Sequence, residues 1–234
     1  DDDNTPKHFK RLTSNDDGTY KLALDVTGAS DPEHEVASNV NILIVYDLSQ
    51  SMSTRVPGTN TSRGDQAEDV VHDFVTDIAR YQDQDNPQNI QMALVTFAVT
   101  SSTERGWTTN LNTIINDFDD GGTDGRTHFN YNGYGTNWDS ALQRANNLLN
   151  SADDDPTFVI LVTDGAPTAT GNGNDATSPS GKTAEQLRPY YNAALPRAKA
   201  IQGRENTTLY GIYIYGDEAD LLDDLMYNSF QEAG

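Results

Sequence analysis

The sequence predicts an α/β domain with a doubly wound, mostly parallel sheet flanked by helices, preceded by a short N-terminal β-hairpin element. Three observations support this prediction. After Val40, nearly continuous apolar runs rich in β-branched residues recur, as is typical of strands covered on both faces. Amphipathic helical patterns separate these runs, which indicates right-handed crossovers. Before Val40, polar and apolar residues alternate around an Asp-Gly break, which is typical of a hairpin.

The elements are predicted in chain order as follows. Residues 1–37 form the hairpin extension, part of an adjoining stalk or β domain, with strands over His8–Thr13 and Thr19–Thr27 and a turn at Asn15–Gly18. Residues 38–234 form the main domain, with strands at Val40–Tyr46, Ile90–Ala98, Thr157–Thr163 and Thr208–Tyr215. Its helices are predicted at Gln66–Tyr81, Asn137–Asn150, Thr183–Ile201 and Asp217–Tyr227, with a shorter one around Leu111–Phe118. Two long polar stretches, near 119–135 and 165–182, are predicted insertions with a functional use.

Composition excludes several classes of function. The chain has 36 acidic and 15 basic residues and a net charge of −21, which repels nucleic acid and anionic membrane surfaces. No run approaches the roughly 18 apolar residues of a membrane span, so no membrane insertion is expected in this chain. The absence of cysteine excludes disulfides, thiolate zinc sites and cysteine nucleophiles. The acidic start and the abrupt end suggest a piece of a longer protein.

The first candidate site lies where the Val40 strand ends. Asp47, Ser49 and Ser51 follow it at intervals of two residues. A loop at the carboxyl end of a buried strand can aim such oxygens at one hard cation. The alternative is an ordinary polar turn, because Asp and Ser also favour turns and helix caps.

Two further segments complete the pattern. Thr136 lies in a Gly-Thr-Asn segment that opens a predicted helix, and Asp164 follows the apolar Thr157–Thr163 strand immediately before Gly165. Taken alone, Thr136 is better explained as a helix N-cap and Asp164 as a turn residue before Gly165. Together with the first loop they predict that three loops of one sheet converge on a metal ion.

This order of motifs, Asp-x-Ser-x-Ser, Gly-Thr-Asn and Thr-Asp-Gly, resembles the von Willebrand factor type A (VWA) domain with its metal-ion-dependent adhesion site, over about residues 38–230. The resemblance implies a Rossmann-like fold. It also implies hydroxyl ligands from Ser49, Ser51 and Thr136, and carboxylates from Asp47 and Asp164 that bind directly or through water. The expected cofactor is Mg²⁺, with Mn²⁺ or Ca²⁺ as alternatives, and one coordination position is left for a partner's acid. Gln50 departs from the glycine usual at its position.

The flanking segments resemble surface adhesins and pilus-tip subunits of Gram-positive bacteria. That resemblance implies a secreted domain on the bacterial surface or cell wall. Its partner would be a host extracellular-matrix or cell-surface protein that offers an acidic residue, or a glycan. The alternative is an intracellular VWA subunit that assists an ATPase or chelatase. An enzyme is not expected: a phosphatase-like site needs a second acid where Ser49 stands, and hydrolase motifs are missing.

Several other features have two interpretations each. Phe129, Tyr131, Tyr134 and Trp138 surround Thr136 in sequence; they either contact a ligand beside the ion or pack the insertion onto the domain. The Arg63–Asp65 segment spells an integrin-recognition motif, but Asp65 is also placed to cap the following helix. The four histidines, His8, His34, His72 and His128, lack metal-ligand spacing and are expected at the surface.

Overall fold

The computed structural model describes residues 7–14, 20–27, 39–83, 89–119, 129–178, 180–215 and 219–231. By its internal contacts the backbone divides into two compact units, Asp1–Ala37 and Ser38–Gly234.

The first unit is a two-stranded antiparallel sheet. Strand β1 (Lys7–Ser14) pairs with β2 (Tyr20–Thr27), with Lys7 opposite Thr27 and Ser14 opposite Tyr20. The strands of the predicted hairpin are therefore present. The predicted turn at Asn15–Gly18 lies outside the described residues.

The second unit is built on one five-stranded sheet. Its strands are β3 (Val40–Asp47), β4 (Ile90–Phe97), β5 (Ser101–Thr108), β6 (Thr157–Thr163) and β7 (Thr207–Tyr213). Its helices are α1 (Arg63–Asp83), α2 (Asn112–Ile115), α3 (Trp138–Leu148), α4 (Ala184–Gln202) and α5 (Ala219–Gln231). Short 3₁₀ turns occupy Gln50–Ser53 and Leu149–Ser151. Among the helices that the structure describes, none combines the length and the apolar character of a membrane span.

The strand order β5-β4-β3-β6-β7 confirms the predicted fold class. Strand β3 pairs in parallel with β4 on one side and β6 on the other, so the chain changes direction across the sheet at β3. Such a reversal opens a crevice at the carboxyl ends of the central strands, where ligands of doubly wound folds bind. The topology therefore places the ends of β3 and β6 side by side.

Strand β5 was not predicted. It pairs antiparallel with β4 at the edge of the sheet, and most of its side chains are exposed or only half-buried. Its sequence, Ser-Ser-Thr-Glu-Arg-Gly-Trp-Thr, lacks the apolar run by which the buried strands were recognised. An edge strand with one covered face needs no such run.

Alternate side chains of β3 enter two separate apolar clusters, one on each face of the sheet. Leu43 and Val45 pack with buried residues of α3, α4 and α5. Ile42, Ile44 and Tyr46 pack with those of α1 and α2. Because successive side chains of a strand point to opposite faces, the continuous apolar run of β3 requires helices on both sides.

The predicted helices are present with shifted ends. Helix α1 begins at Arg63 rather than Gln66, because Ser62 caps it: the Ser62 Oγ accepts from the Asp65 N–H at 3.0 Å. In return, the Asp65 carboxylate accepts from the Ser62 N–H at 2.8 Å, which completes a capping box. Asp65 thus takes part in the predicted capping, but as the third residue of the helix rather than as its N-cap.

The two predicted insertions lie beside the carboxyl edge of the sheet. Of the first, residues 120–128 lie outside the described part of the chain, and residues 129–135 run alongside the loop that follows β3. Within the described part of 165–182 the chain forms turns and bends without a helix or a strand.

Candidate metal centre

The candidate site begins at the ends of two neighbouring strands. Asp47 is the last residue of β3, and Asp164 follows the last residue of β6. Both residues are almost completely buried, with exposed fractions of 0% for Asp47 and 1% for Asp164. Two carboxyl groups therefore lie out of water at adjacent positions of the sheet edge.

The loop after β3 turns its two serines toward this edge. The Ser49 N–H donates to Asp47 Oδ1 at 2.7 Å, which folds the loop back over the strand end. The Ser49 and Ser51 hydroxyl oxygens lie 3.0 Å apart. The Gln50 N–H donates to the Gly133 carbonyl at 2.8 Å, and the Gln50 side chain is exposed. The loop thus closes with glutamine at this position.

Thr136 belongs to a third loop, the one that precedes α3. The cap of α3 is Asn137, whose side chain accepts from the Ser140 N–H, so the N-cap explanation of Thr136 is wrong. The Thr136 N–H donates to the Thr168 Oγ1 at 2.9 Å, which fixes its backbone. A Cβ added at Gly165 would lie 3.5 Å from the Thr136 Oγ1 and 3.4 Å from the Ser51 Oγ. Both hydroxyls therefore lie beside Gly165.

Asp164 is held by two donors. Its Oδ1 accepts from the Ser51 hydroxyl at 2.7 Å, and its Oδ2 accepts from the Arg63 guanidinium at 2.9 Å. The Asp164 side chain is 0% exposed and that of Arg63 is 21% exposed. Arg63 was considered in the sequence only as part of an integrin motif. Its role here depends on the path of residues 54–62, for which the local sequence gives no signal.

Asp47 has a second partner that sequence reasoning also missed. The Thr163 hydroxyl donates to Asp47 Oδ2 at 2.5 Å. Thr163 is the last residue of β6 and precedes Asp164, so it was within the quoted motif but was given no role. The two strand ends are thus joined directly through Thr163 and Asp47.

The electrostatics of the site favour a cation. Burial, together with the negative charge of Asp164, raises the pKa of Asp47 to about 7. Burial also raises the pKa of Asp164, although hydrogen bonds from Ser51 and Arg63 and the charge of Arg63 oppose the shift. Two buried carboxylates are costly to ionise, and a nearby positive charge would remove most of that cost.

The donors present fit a hard divalent ion. Within the described ranges, no group of three or more His, Asp or Glu side chains could hold a metal. The candidate set instead consists of two carboxylates and three hydroxyls, all oxygen donors of the kind that Mg²⁺ binds. Consecutive hydrogen bonds from Asp47 through Ser49 and Ser51 to Asp164 keep four of these groups together. Four of the five residues that the resemblance implies as ligands are therefore linked to one another, and the fifth, Thr136, lies beside Gly165 as Ser51 does.

The comparisons agree with this geometry. A family profile of the von Willebrand factor type A domain matches residues 42–166, more than half of the 234-residue chain. The chain belongs to this family. The matched residues of the VWA domain run from β3 to just beyond Asp164, so they include all five candidate ligands. No curated protein matches the chain.

Solved structures share the fold. The minor pilin PilB from Streptococcus sanguinis aligns with a TM-score of 0.63 at 16% identity, over 98% of this chain and 72% of that one. The VWA domain of the type V pili tip protein Mfa5 from Porphyromonas gingivalis aligns with a TM-score of 0.58 at 16% identity, over 83% and 87%. The pilus adhesin SpaC from Lactobacillus rhamnosus GG gives 0.55 at 20% identity, over 98% of this chain and 32% of that one. At these identities the likeness is one of fold.

Of the four aromatic residues predicted to contact a ligand, Trp138 was wrongly assigned. Its side chain is 0% exposed and packs in the apolar cluster beneath α3 and α4, so it has no surface to offer. The sequence could not distinguish this position from its neighbours, because Trp138 begins the helix whose inner face covers the sheet. Tyr134, four residues earlier, is 54% exposed near Thr136 and remains a candidate contact.

Phe129 and Tyr131 pack the insertion onto the VWA domain. The Phe129 ring lies 5.5 Å from that of Tyr46 and 5.2 Å from that of Phe118, centroid to centroid. The Tyr131 hydroxyl lies 2.9 Å from the Tyr46 hydroxyl and donates to the buried Glu68. Both side chains are half-buried, so the packing explanation accounts for their contacts.

The integrin-recognition motif lies in the first turn of α1. Arg63 binds Asp164, Gly64 lies directly beneath the Tyr131 ring, and the Asp65 carboxylate belongs to the capping box. A side chain at Gly64 would collide with that ring. Each residue of the motif therefore has a structural role within the VWA domain.

Proposed function

We propose that this VWA domain is a metal-dependent adhesin module that binds a host matrix or cell-surface protein through an acidic side chain of that protein. The observation that supports it best is the convergence of two buried carboxylates and three hydroxyls on one edge of the sheet, where Arg63 is paired with one of the carboxylates, Asp164. In this proposal Asp47, Ser49, Ser51, Thr136 and Asp164 hold Mg²⁺. When bound, Mg²⁺ supplies an electrophilic position for a partner's carboxylate.

The ligand set suits binding rather than bond cleavage. Three of the five ligands are neutral hydroxyls, so the set carries at most two negative charges and repels an incoming acid less than a set of carboxylates alone would. Thr163 and Ser49 orient Asp47, and Ser51 orients Asp164. These contacts fix the carboxylates rather than activate a nucleophile, and we propose no enzymatic reaction.

The fold of PilB, Mfa5 and SpaC supports a location on the bacterial surface, in the cell wall or at a pilus tip. The net charge of −21 means that this domain would approach an acidic partner against general electrostatic repulsion. Specific attachment would then depend on the ion and on the surface around it. The exposed Tyr134, next to the Thr136 loop, supplies apolar contact area there.

The proposal is tested by binding of the domain to immobilised collagens, fibronectin, fibrinogen and a glycan array, in Mg²⁺ and in EDTA. We expect binding to at least one surface in Mg²⁺ and its loss in EDTA or in Asp47→Ala. Tyr134→Ala should weaken that binding about fivefold or more. Tyr227→Ala removes a comparably exposed tyrosine on α5 and should leave it unchanged. Binding that is equal with and without EDTA would refute the metal-dependent mechanism.

A further inference from the structure

Arg63 stands out because it donates a hydrogen bond to one of the two carboxylate oxygens of Asp164, a proposed metal ligand. Asp164 accepts from Ser51 through Oδ1 and from Arg63 through Oδ2, so each oxygen already has a strong donor. The Asp164 side chain is wholly buried, whereas 21% of the Arg63 side chain reaches the surface. A partly exposed arginine side chain is therefore paired with a buried acid.

The position of Arg63 is set by the backbone around it. The Arg63 N–H donates to the Thr54 carbonyl at 2.9 Å, and Ser62 pairs with Arg55 in an isolated antiparallel bridge. The Ser62–Asp65 capping box then fixes the start of α1. Arg63 is thus held by two independent constraints on its backbone, which favours a defined side-chain position over a surface side chain that happens to reach Asp164.

The charges of the site explain what Arg63 does there. Asp47 and Asp164 together supply two negative charges when ionised, and Arg63 supplies one positive charge at hydrogen-bond distance from Asp164. A divalent ion at the site would therefore meet one net negative charge rather than two. In a site shielded from water, one charge at such a distance changes ion affinity substantially.

We propose that Arg63 is a positioning residue that weakens binding of the divalent ion and strengthens binding of a carboxylate to the loaded site. It does so by holding Asp164 through Oδ2 and neutralising part of its charge, so that the ion keeps more positive charge for the acidic side chain of a protein partner. This inference rests on the proposed function and adds the residue that sets the site's preference for an acid.

The first test is titration calorimetry with Mg²⁺ and with Mn²⁺ at pH 8. Arg63→Gln removes the positive charge and should bind the ion about tenfold more tightly than the wild type. Arg63→Lys keeps the charge and should stay within about threefold of the wild type. Arg105→Gln removes a guanidinium of the edge strand β5, where Arg105 pairs with Asp117, and should not change the affinity for the ion.

The second test uses acetate as the acid probe on the Mn²⁺-loaded domain, with displacement of metal-bound water followed by water-proton relaxation. Arg63→Gln should bind acetate about tenfold more weakly, and Arg63→Lys should resemble the wild type. A purely structural role would weaken both metal and acetate binding, or change neither. Opposite changes in the two affinities are therefore the diagnostic result.

The outcomes separate the inference from the proposed function. Equal metal affinity in the wild type and Arg63→Gln overturns the role of Arg63 and leaves the metal site intact, whereas no metal binding to either protein overturns both. If Arg63→Gln does not fold in EDTA, a crystal structure of the Mg²⁺-loaded wild type decides. The Arg63–Asp164 contact should persist there; an Asp164 oxygen at about 2.1 Å from the ion with Arg63 displaced would overturn the inference.

Discussion

Replacing Asp47 with asparagine should stabilise the metal-free protein. The Asp47 carboxyl is fully buried, and its pKa is raised from 3.8 to about 7 by burial and by Asp164. A carboxyl whose pKa is higher in the folded state binds more protons there than in the unfolded chain. The stability of the metal-free wild type should therefore decrease as the pH rises from about 4 to about 7, and Asp47→Asn should be free of this loss.

The expected gain follows from the size of the shift. Three pKa units at about 1.4 kcal/mol each give a gain in unfolding free energy of roughly 4 kcal/mol at pH 8. Water that reaches the ionised site would lower this gain, to no less than roughly 2 kcal/mol. Asparagine can keep both hydrogen bonds: its oxygen accepts from the Ser49 N–H, and its amide donates to Thr163. The Thr163 hydroxyl can then turn toward the Gly165 carbonyl, 3.3 Å away. For a domain of this size the melting temperature should rise by roughly 5 to 15 °C.

The assay is thermal and urea unfolding in EDTA at pH 5 and pH 8. At pH 5 the folded wild type keeps Asp47 protonated, so the advantage of Asp47→Asn should fall to less than half of its value at pH 8. Asp223→Asn, at an exposed position on α5, should change neither measurement. Asp47→Asn that is less stable than the wild type by the same amount at both pH values would refute the reasoning. Adding Mg²⁺ should stabilise the wild type and leave Asp47→Asn unchanged.

Two further substitutions test the contacts around the site. Thr163→Val removes the donor to Asp47 Oδ2 while keeping the side-chain volume, so urea unfolding at pH 8 should show a loss of about 1–3 kcal/mol. If Thr163→Val lowers the free energy of unfolding by as much in the Asp47→Asn background as in the wild type, the negative charge of Asp47 is not involved. Tyr131→Phe removes the hydroxyl that bonds the buried Glu68 and should cost about 1–3 kcal/mol of unfolding free energy. Tyr134→Phe, at an exposed position, should stay within about 0.5 kcal/mol of the wild type, and equal losses for the two tyrosines would contradict the packing role of Tyr131.

Much of the fold was readable from the sequence because its central strands are buried on both faces. The apolar runs of β3, β4, β6 and β7 and the helical stripes between them predict the parallel sheet and its crossovers. Strand β5 escaped because it is a polar edge strand. The start of α1 escaped by three residues because Ser62, Asp65 and the residues between them all suit the first turn of a helix.

The five proposed metal ligands could be named from the sequence because each lies in a short local motif at the end of a strand or the start of a helix. Arg63 lies in no such motif, and Thr163 lies in the Thr-Asp-Gly motif without any local sign of its contact with Asp47. Arg63 reaches Asp164 across 101 residues of sequence, and Thr163 reaches Asp47 across 116. Contacts of that range depend on the assembled sheet edge. The error for Trp138 has the opposite cause: because it is close in sequence to Thr136, a core residue was predicted to contact a ligand.

The central claim is that three loops converge on one divalent ion, and Thr136 tests it most directly because it is the one proposed ligand from the loop that precedes α3. Mg²⁺ titration calorimetry should compare the wild type with Thr136→Val, which keeps the shape and removes the hydroxyl, and with Ser53→Ala in the first loop. The Ser53 hydroxyl donates to the Gln50 carbonyl and faces solvent, so its loss should not matter. One Mg²⁺ bound per wild-type chain, unchanged in Ser53→Ala and weakened at least tenfold in Thr136→Val, is the predicted result. Equal binding by all three proteins, or none by the wild type, would contradict the account.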